Sequence, residues 1–168
     1  GGSGPRFGGS AYDSTNNRVI IAFRDESGTN DSYGVAVVGT VSGASISVGS
    51  HVIFSSSSTF YVSHVFDSNA NKILIAYRNA GNSSYGTAIV GTVSGTSISF
   101  GTAVVFNSAN TNRLNAVYDV NANKTVIAYR DAGNLNYGTA IVGTVSGTTI
   151  SFGSETVFES ASTTIPAC

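Results

Sequence analysis

Arg24, Arg78 and Arg130 each close an apolar run, and each is followed by an Asx side chain, Asp25, Asn79 and Asp131. A guanidinium is a planar fork of five N–H donors, suited to a carboxylate or to a group of sugar hydroxyls. A few residues further on, Tyr33, Tyr85 and Tyr137 stand directly before Gly34, Gly86 and Gly138, and Phe23, Tyr77 and Tyr129 directly precede the arginines. An aromatic face stacks on the C–H groups of a sugar while neighbouring polar groups read its hydroxyls. Arg24, Arg78, Arg130, Tyr33, Tyr85 and Tyr137 are therefore the candidate ligand-binding set. Recurrence weighs against them as a single site, because a structural requirement repeats where an active site does not. The stronger expectation for each arginine is a partner within or between repeats.

The other reactive side chains point to less. Asp67-Ser68-Asn69-Ala70-Asn71 and Asp119-Val120-Asn121-Ala122-Asn123 set oxygen donors at alternate positions, like the start of a calcium loop. The loop glycine and the distal glutamate of that motif are absent, so Asx-stabilised turns are expected and no cofactor or metal. His51 and His64, the two histidines, become Glu155 and Ala116 in the third copy, and each is read as a surface substitution. Glu155 and Glu159 stand about 13 Å apart if their strand is continuous, too far for a glycosidase pair. No phosphate loop, zinc spacing or nucleophile elbow occurs, and no catalytic residue is assigned. Asn30, Asn82 and Asn123 head formal glycosylation sequons, and the single cysteine, Cys168, has no internal partner.

What must position these residues is a repeat. Ile75-Ala76-Tyr77-Arg78 returns as Ile127-Ala128-Tyr129-Arg130 and Gly91-Thr92-Val93-Ser94-Gly95 as Gly143-Thr144-Val145-Ser146-Gly147, both 52 positions on. Ile21-Ala22-Phe23-Arg24 and Gly39-Thr40-Val41-Ser42-Gly43 form the first copy, with two extra residues between Arg24 and Tyr33 that mark a loop. The expected organisation is a linker and start of the first strand over 1–10, repeats over 11–58, 59–110 and 111–160, and a tail over 161–168. The second copy reads as four strands, Phe60 to Phe66, Lys72 to Arg78, Tyr85 to Val93 and Ser97 to Phe106, with a bend at Gly101. The second of these is almost continuously apolar, as a strand buried on both faces must be. Val, Ile, Thr, Ser and Gly content and the lack of a helical stripe predict an all-β chain.

The unit Val65-Phe66-Asp67, Ile75-Ala76-Tyr77-Arg78, Tyr85-Gly86-Thr87-Ala88, Gly91-Thr92-Val93-Ser94-Gly95 resembles the tandem propeller-type repeats of phage tail and bacterial surface proteins, and its length is kelch-like. The chain has no tryptophan, hence no WD40 dipeptide and no Asp-box. The resemblance implies three four-stranded antiparallel blades of a β-propeller, with a β-solenoid or fibre of stacked repeats as the alternative. Three blades are too few for a ring. The chain is therefore expected to partner itself, as a homodimer closing a six-bladed ring or as a head-to-tail filament.

Composition narrows the setting. Hydrophobic residues make up 41% and charged residues 10%, with a net charge of −1. That is enough apolar content for a core, and the surface must be built from Ser, Thr, Asn and Gly. No basic run exists to neutralise phosphates, and no apolar stretch is long enough for a membrane helix. The expected role is a non-catalytic recognition module on an extracellular, cell or virion surface, binding surface glycans. A purely structural scaffold or fibre subunit is the alternative, and a glycoside hydrolase a distant third.

Overall fold

The computed structural model describes residues 7–27 and 32–163; residues 1–6, Asn30 and Cys168 lie outside them. The described chain is strand and turn throughout, without a helix. Repeat 1 supplies β1 (Phe7–Asp13), β2 (Arg18–Arg24), β3 (Gly34–Ser42), β4 (Ser45–Val48) and β5 (Val52–Ser55). Repeat 2 supplies β6 (Thr59–Asp67), β7 (Lys72–Asn79), β8 (Tyr85–Ser94), β9 (Ser97–Phe100) and the first part of β10 (Val104–Asp119). Repeat 3 takes the rest of β10, then β11 (Lys124–Asp131), β12 (Tyr137–Ser146), β13 (Thr149–Phe152) and β14 (Thr156–Glu159).

Every pairing is antiparallel, and each repeat builds the same sheet. The third strand takes two short partners in line: β3 pairs with β4 through Gly39↔Val48 and with β5 through Ala36↔Val52. The two short strands are one fourth strand broken at Gly49. Corresponding breaks fall at Gly101 and Gly153, so the bend expected at Gly101 is a full interruption. At the first two breaks the glycine has a steric reason. A Cβ on Gly49 would overlap the carbonyl of Thr96, and one on Gly101 that of Thr148, because the hairpin of the following repeat presses on the break.

Hydrogen bonding joins these units into a five-stranded and a nine-stranded sheet, neither closed, rather than three separate four-stranded sheets. The broken fourth strand raises the strand count, and β10 joins repeats 2 and 3 by running through both without a break. Its partner passes from β8, at Asn110↔Tyr85, to β11, at Thr111↔Asp131. The first strands β1, β6 and β10 lie side by side, β6 between the other two.

The three units stack face to face, and the period-2 alternation of each strand sorts its side chains between neighbours. Ile73, Ile75 and Tyr77 of β7 pack with Ile20, Ala22, Val38 and Phe54 of repeat 1. Leu74 and Ala76, on the other face, pack with Ile127, Tyr129 and Ile141 of repeat 3. This is why β7 reads as continuously apolar: it is covered on both faces. β11 carries nearly the same sequence, yet its residues alternate between buried and half-buried, because only one of its faces is covered.

His64 departs from the sequence expectation. It is buried between repeats 1 and 2, with Nε2 3.2 Å from the carbonyl oxygen of Ile20, while His51 is exposed and meets the edge of Phe23. Burial lowers the His64 pKa below its ordinary 6.5, partly offset by the backbone hydrogen bond. The unfolded chain therefore takes up a proton near pH 6.5 that the folded chain refuses. Stability is full above that pH and falls as the pH drops toward the folded-state pKa, by up to about 1.4 kcal/mol per pH unit. Melting temperatures compared at pH 7.5 and pH 5 should show this loss, and His64→Ala should flatten it.

Candidate recognition rim

Arginines at the ends of β2 and β7 and within the end of β11 come to one rim of the stack, because equivalent strands end at equivalent heights. Register places them opposite the tyrosine–glycine steps: Arg24↔Gly34, Arg78↔Gly86 and Arg130↔Gly138. Tyr33, Tyr85 and Tyr137 share this rim and are half-buried. All six candidate residues are thus on one edge of the molecule.

The arginines there are tied into the protein. Phe60 of β6 lies between two of them, with the Arg24 and Arg78 guanidinium carbons 4.4 and 4.3 Å from its ring centroid. Arg78 is also 4.8 Å from the Tyr61 ring and donates from Nη1 to Asn112 Oδ1 at 2.7 Å, reaching into β10. Arg24 donates from Nη2 to Ser32 Oγ at 2.6 Å. Its Nε sits 3.1 Å from Glu26 Oε1, an ion pair whose N–H is not aligned on the oxygen. Arg130 clamps Asn136 Oδ1 with Nε and Nη2, at 3.0 and 2.7 Å. Each contact stacks or binds a guanidinium that is partly out of water, where cation–π contacts are strongest.

The Asx residues after the arginines hold turns. Asp25, Asn79 and Asp131 accept from the backbone N–H of Ser27, Gly81 and Gly133. A cleft lined by Phe23, Arg24, Asp25, Glu26 and Ser27 opens beside the first of these turns.

Phe60, Tyr61, Asn112 and Asn136 do not stand out in the sequence, and the repeat explains why. Position 60 becomes Asn112 in the third copy and Arg6 in the first, so periodicity gives no signal for it. Tyr61 and Arg113 also carry φ of 51° and 50° at a register shift in the first strand, the shift that falls between Phe7 and Gly9 in the first copy. Left-handed backbone at a non-glycine residue is strained. Here it turns Tyr61 toward Arg78.

On the opposite rim the calcium-like loops use their carboxylates internally. Asp13, Asp67 and Asp119 each accept two backbone N–H bonds from residues two and three further on. Among the described residues no group of three His, Cys, Asp or Glu side chains could hold a metal. Glu155 accepts the Tyr129 hydroxyl at 2.6 Å, and Glu159 accepts the Ala161 N–H. Burial, then the Glu155 carboxylate, raises the Tyr129 pKa and keeps that hydroxyl a donor.

Comparison with protein-family models, curated proteins and solved structures gives no match to this chain.

Proposed function

We propose that the chain is a non-catalytic repeat scaffold, with its three repeats as successive propeller-type blades, working at an extracellular, cell or virion surface. The supporting observation is the Arg24–Phe60–Arg78 stack with its bond to Asn112, which joins repeat to repeat. Two of the side chains best suited to seizing a ligand, Arg24 and Arg78, are engaged in fixing neighbouring repeats. A fan of blades is favoured over a solenoid by the side-by-side first strands and by the passage from an outer fourth strand to the next inner first strand in β10.

Glycan recognition is the second reading, and the half-buried tyrosines at 33, 85 and 137 favour it. They share the rim with the exposed turn residues Asn82, Ser83 and Asn134. One substitution separates the two readings. Arg78→Ala removes a charged hydrogen bond and two ring contacts, so the scaffold reading expects a loss of about 2–4 kcal/mol in urea unfolding. Unchanged stability with loss of a coherent sugar preference on a glycan array would instead establish the recognition reading.

A further inference from the structure

We infer that the two end faces of the stack form a head-to-tail contact between copies of this chain, in the register its own repeats already use. This does not depend on whether the rim binds a ligand. At the two internal interfaces the same positions meet. Phe54 packs at 5.2 Å on Tyr77 and 5.9 Å on Phe100, and Phe106 packs at 5.2 Å on Tyr129 and 5.7 Å on Phe152. Val93 and Ile98 of repeat 2 are 8% and 3% exposed against repeat 1, and Ile150 of repeat 3 is 3% exposed against repeat 2.

The same positions are bare at the ends. In repeat 1, before which no sheet lies among the described residues, the counterparts Val41, Ile46 and Val48 are 57%, 51% and 56% exposed. In repeat 3 the counterpart of Phe54 and Phe106 is Phe158, 55% exposed, and Val142 stands beside it in place of Val38 and Val90. Both surfaces keep the apolar residue types of the buried interfaces. On the first face Val35 and Val37 are buried within the chain, so the open part is the half formed by Val41, Ile46 and Val48. Exposed apolar surface of this kind marks an interface.

Steric detail supports the register. A Cβ on Gly49 or Gly101 would strike the hairpin of the next repeat, at Thr96 or Thr148. Gly153, their counterpart, has only its own chain's Val142 carbonyl at 3.8 Å. That space accepts the equivalent hairpin, at Ala44, of a second copy. Phe158 then inserts against Phe23 and Val48 of that copy, as Phe106 does against Tyr129 and Phe152. The contact is heterologous, so it closes as a two-chain ring where the rotation permits and runs on as a filament where it does not.

Light scattering over a range of concentrations tests the contact. A mass stopping at twice the 17.1 kDa chain means a ring, and one that keeps growing means a filament; either supports it. Phe158→Asp and Ile46→Asp should each leave the circular dichroism spectrum unchanged and the chain monomeric. Mixed in equal amounts, they should form a capped one-to-one pair, since each retains the face the other lacks. Gly153→Ala should also block assembly while leaving the monomer's fold and melting temperature as they were. A wild-type mass fixed at 17.1 kDa at all concentrations overturns the proposal, as does assembly that survives both aspartate variants.

Discussion

Phe106→Ala should destabilise the chain by about 3–5 kcal/mol in urea unfolding, whereas Phe158→Ala should change the stability of the dilute monomer by less than about 0.5 kcal/mol. The two residues hold the same place in consecutive repeats, so the contrast isolates burial from sequence. Phe106 fills the space between repeats 2 and 3, where Leu74, Val90 and Ile127 close around the Tyr129 and Phe152 rings. Removing it leaves a ring-sized void that stacked sheets, held at fixed spacing by their hydrogen-bonded neighbours, cannot collapse to fill. Among the described residues no sheet lies beyond Phe158. If the ends associate, its effect appears only as protein concentration rises, because assembly stabilises the folded chain by mass action. The Phe106 loss should instead be independent of concentration. Equal losses at both positions would mean that Phe158 is buried in solution by the chain itself.

Strand placement is legible in the sequence because the repeat samples it three times. The strands expected over Lys72 to Arg78 and Tyr85 to Val93 are β7 and β8, each one residue longer, to Asn79 and Ser94. The Asx turns are equally legible, since an aspartate whose side chain caps its own loop needs only local sequence. What is not legible depends on a neighbouring repeat. His64 looks polar and expendable in one dimension, but lies where an adjacent sheet covers it and offers the Ile20 carbonyl. The role of Arg78 needs Phe60 and Asn112, residues from two different first strands, and neither recurs at its equivalent position. Likewise, nothing local distinguishes the uninterrupted passage at Asn107–Thr111 from the breaks elsewhere. Nor does the sequence of β11 tell it from β7: the two runs are nearly identical, and only the missing neighbour leaves one face of β11 half-covered.

Gly101→Ala should be more damaging than Gly95→Ala in the neighbouring hairpin turn, and for a different reason. Gly95 has a φ of +62°, but a Cβ added there would meet nothing within 4 Å, so an alanine costs only the conformational preference, about 1 kcal/mol. Gly101 needs no unusual backbone angle; its requirement is proximity. An added Cβ would overlap the Thr148 carbonyl, which is backbone in the hairpin joining β12 to β13, and a hairpin cannot rotate aside as a side chain does. Relief requires repeat 3 to lift from repeat 2 at this edge, pulling Ile150 and Phe152 away from Phe106 and Val90. The cost should reach or exceed the upper end of ordinary overpacking, about 3 kcal/mol. Because the strain falls on one interface, hydrogen exchange should show β12 and β13 losing protection while β2 and β3 retain theirs. Uniform loss across all three repeats would show that the stack unfolds only as a whole, and that the interface between repeats 2 and 3 is not a separable unit of its stability.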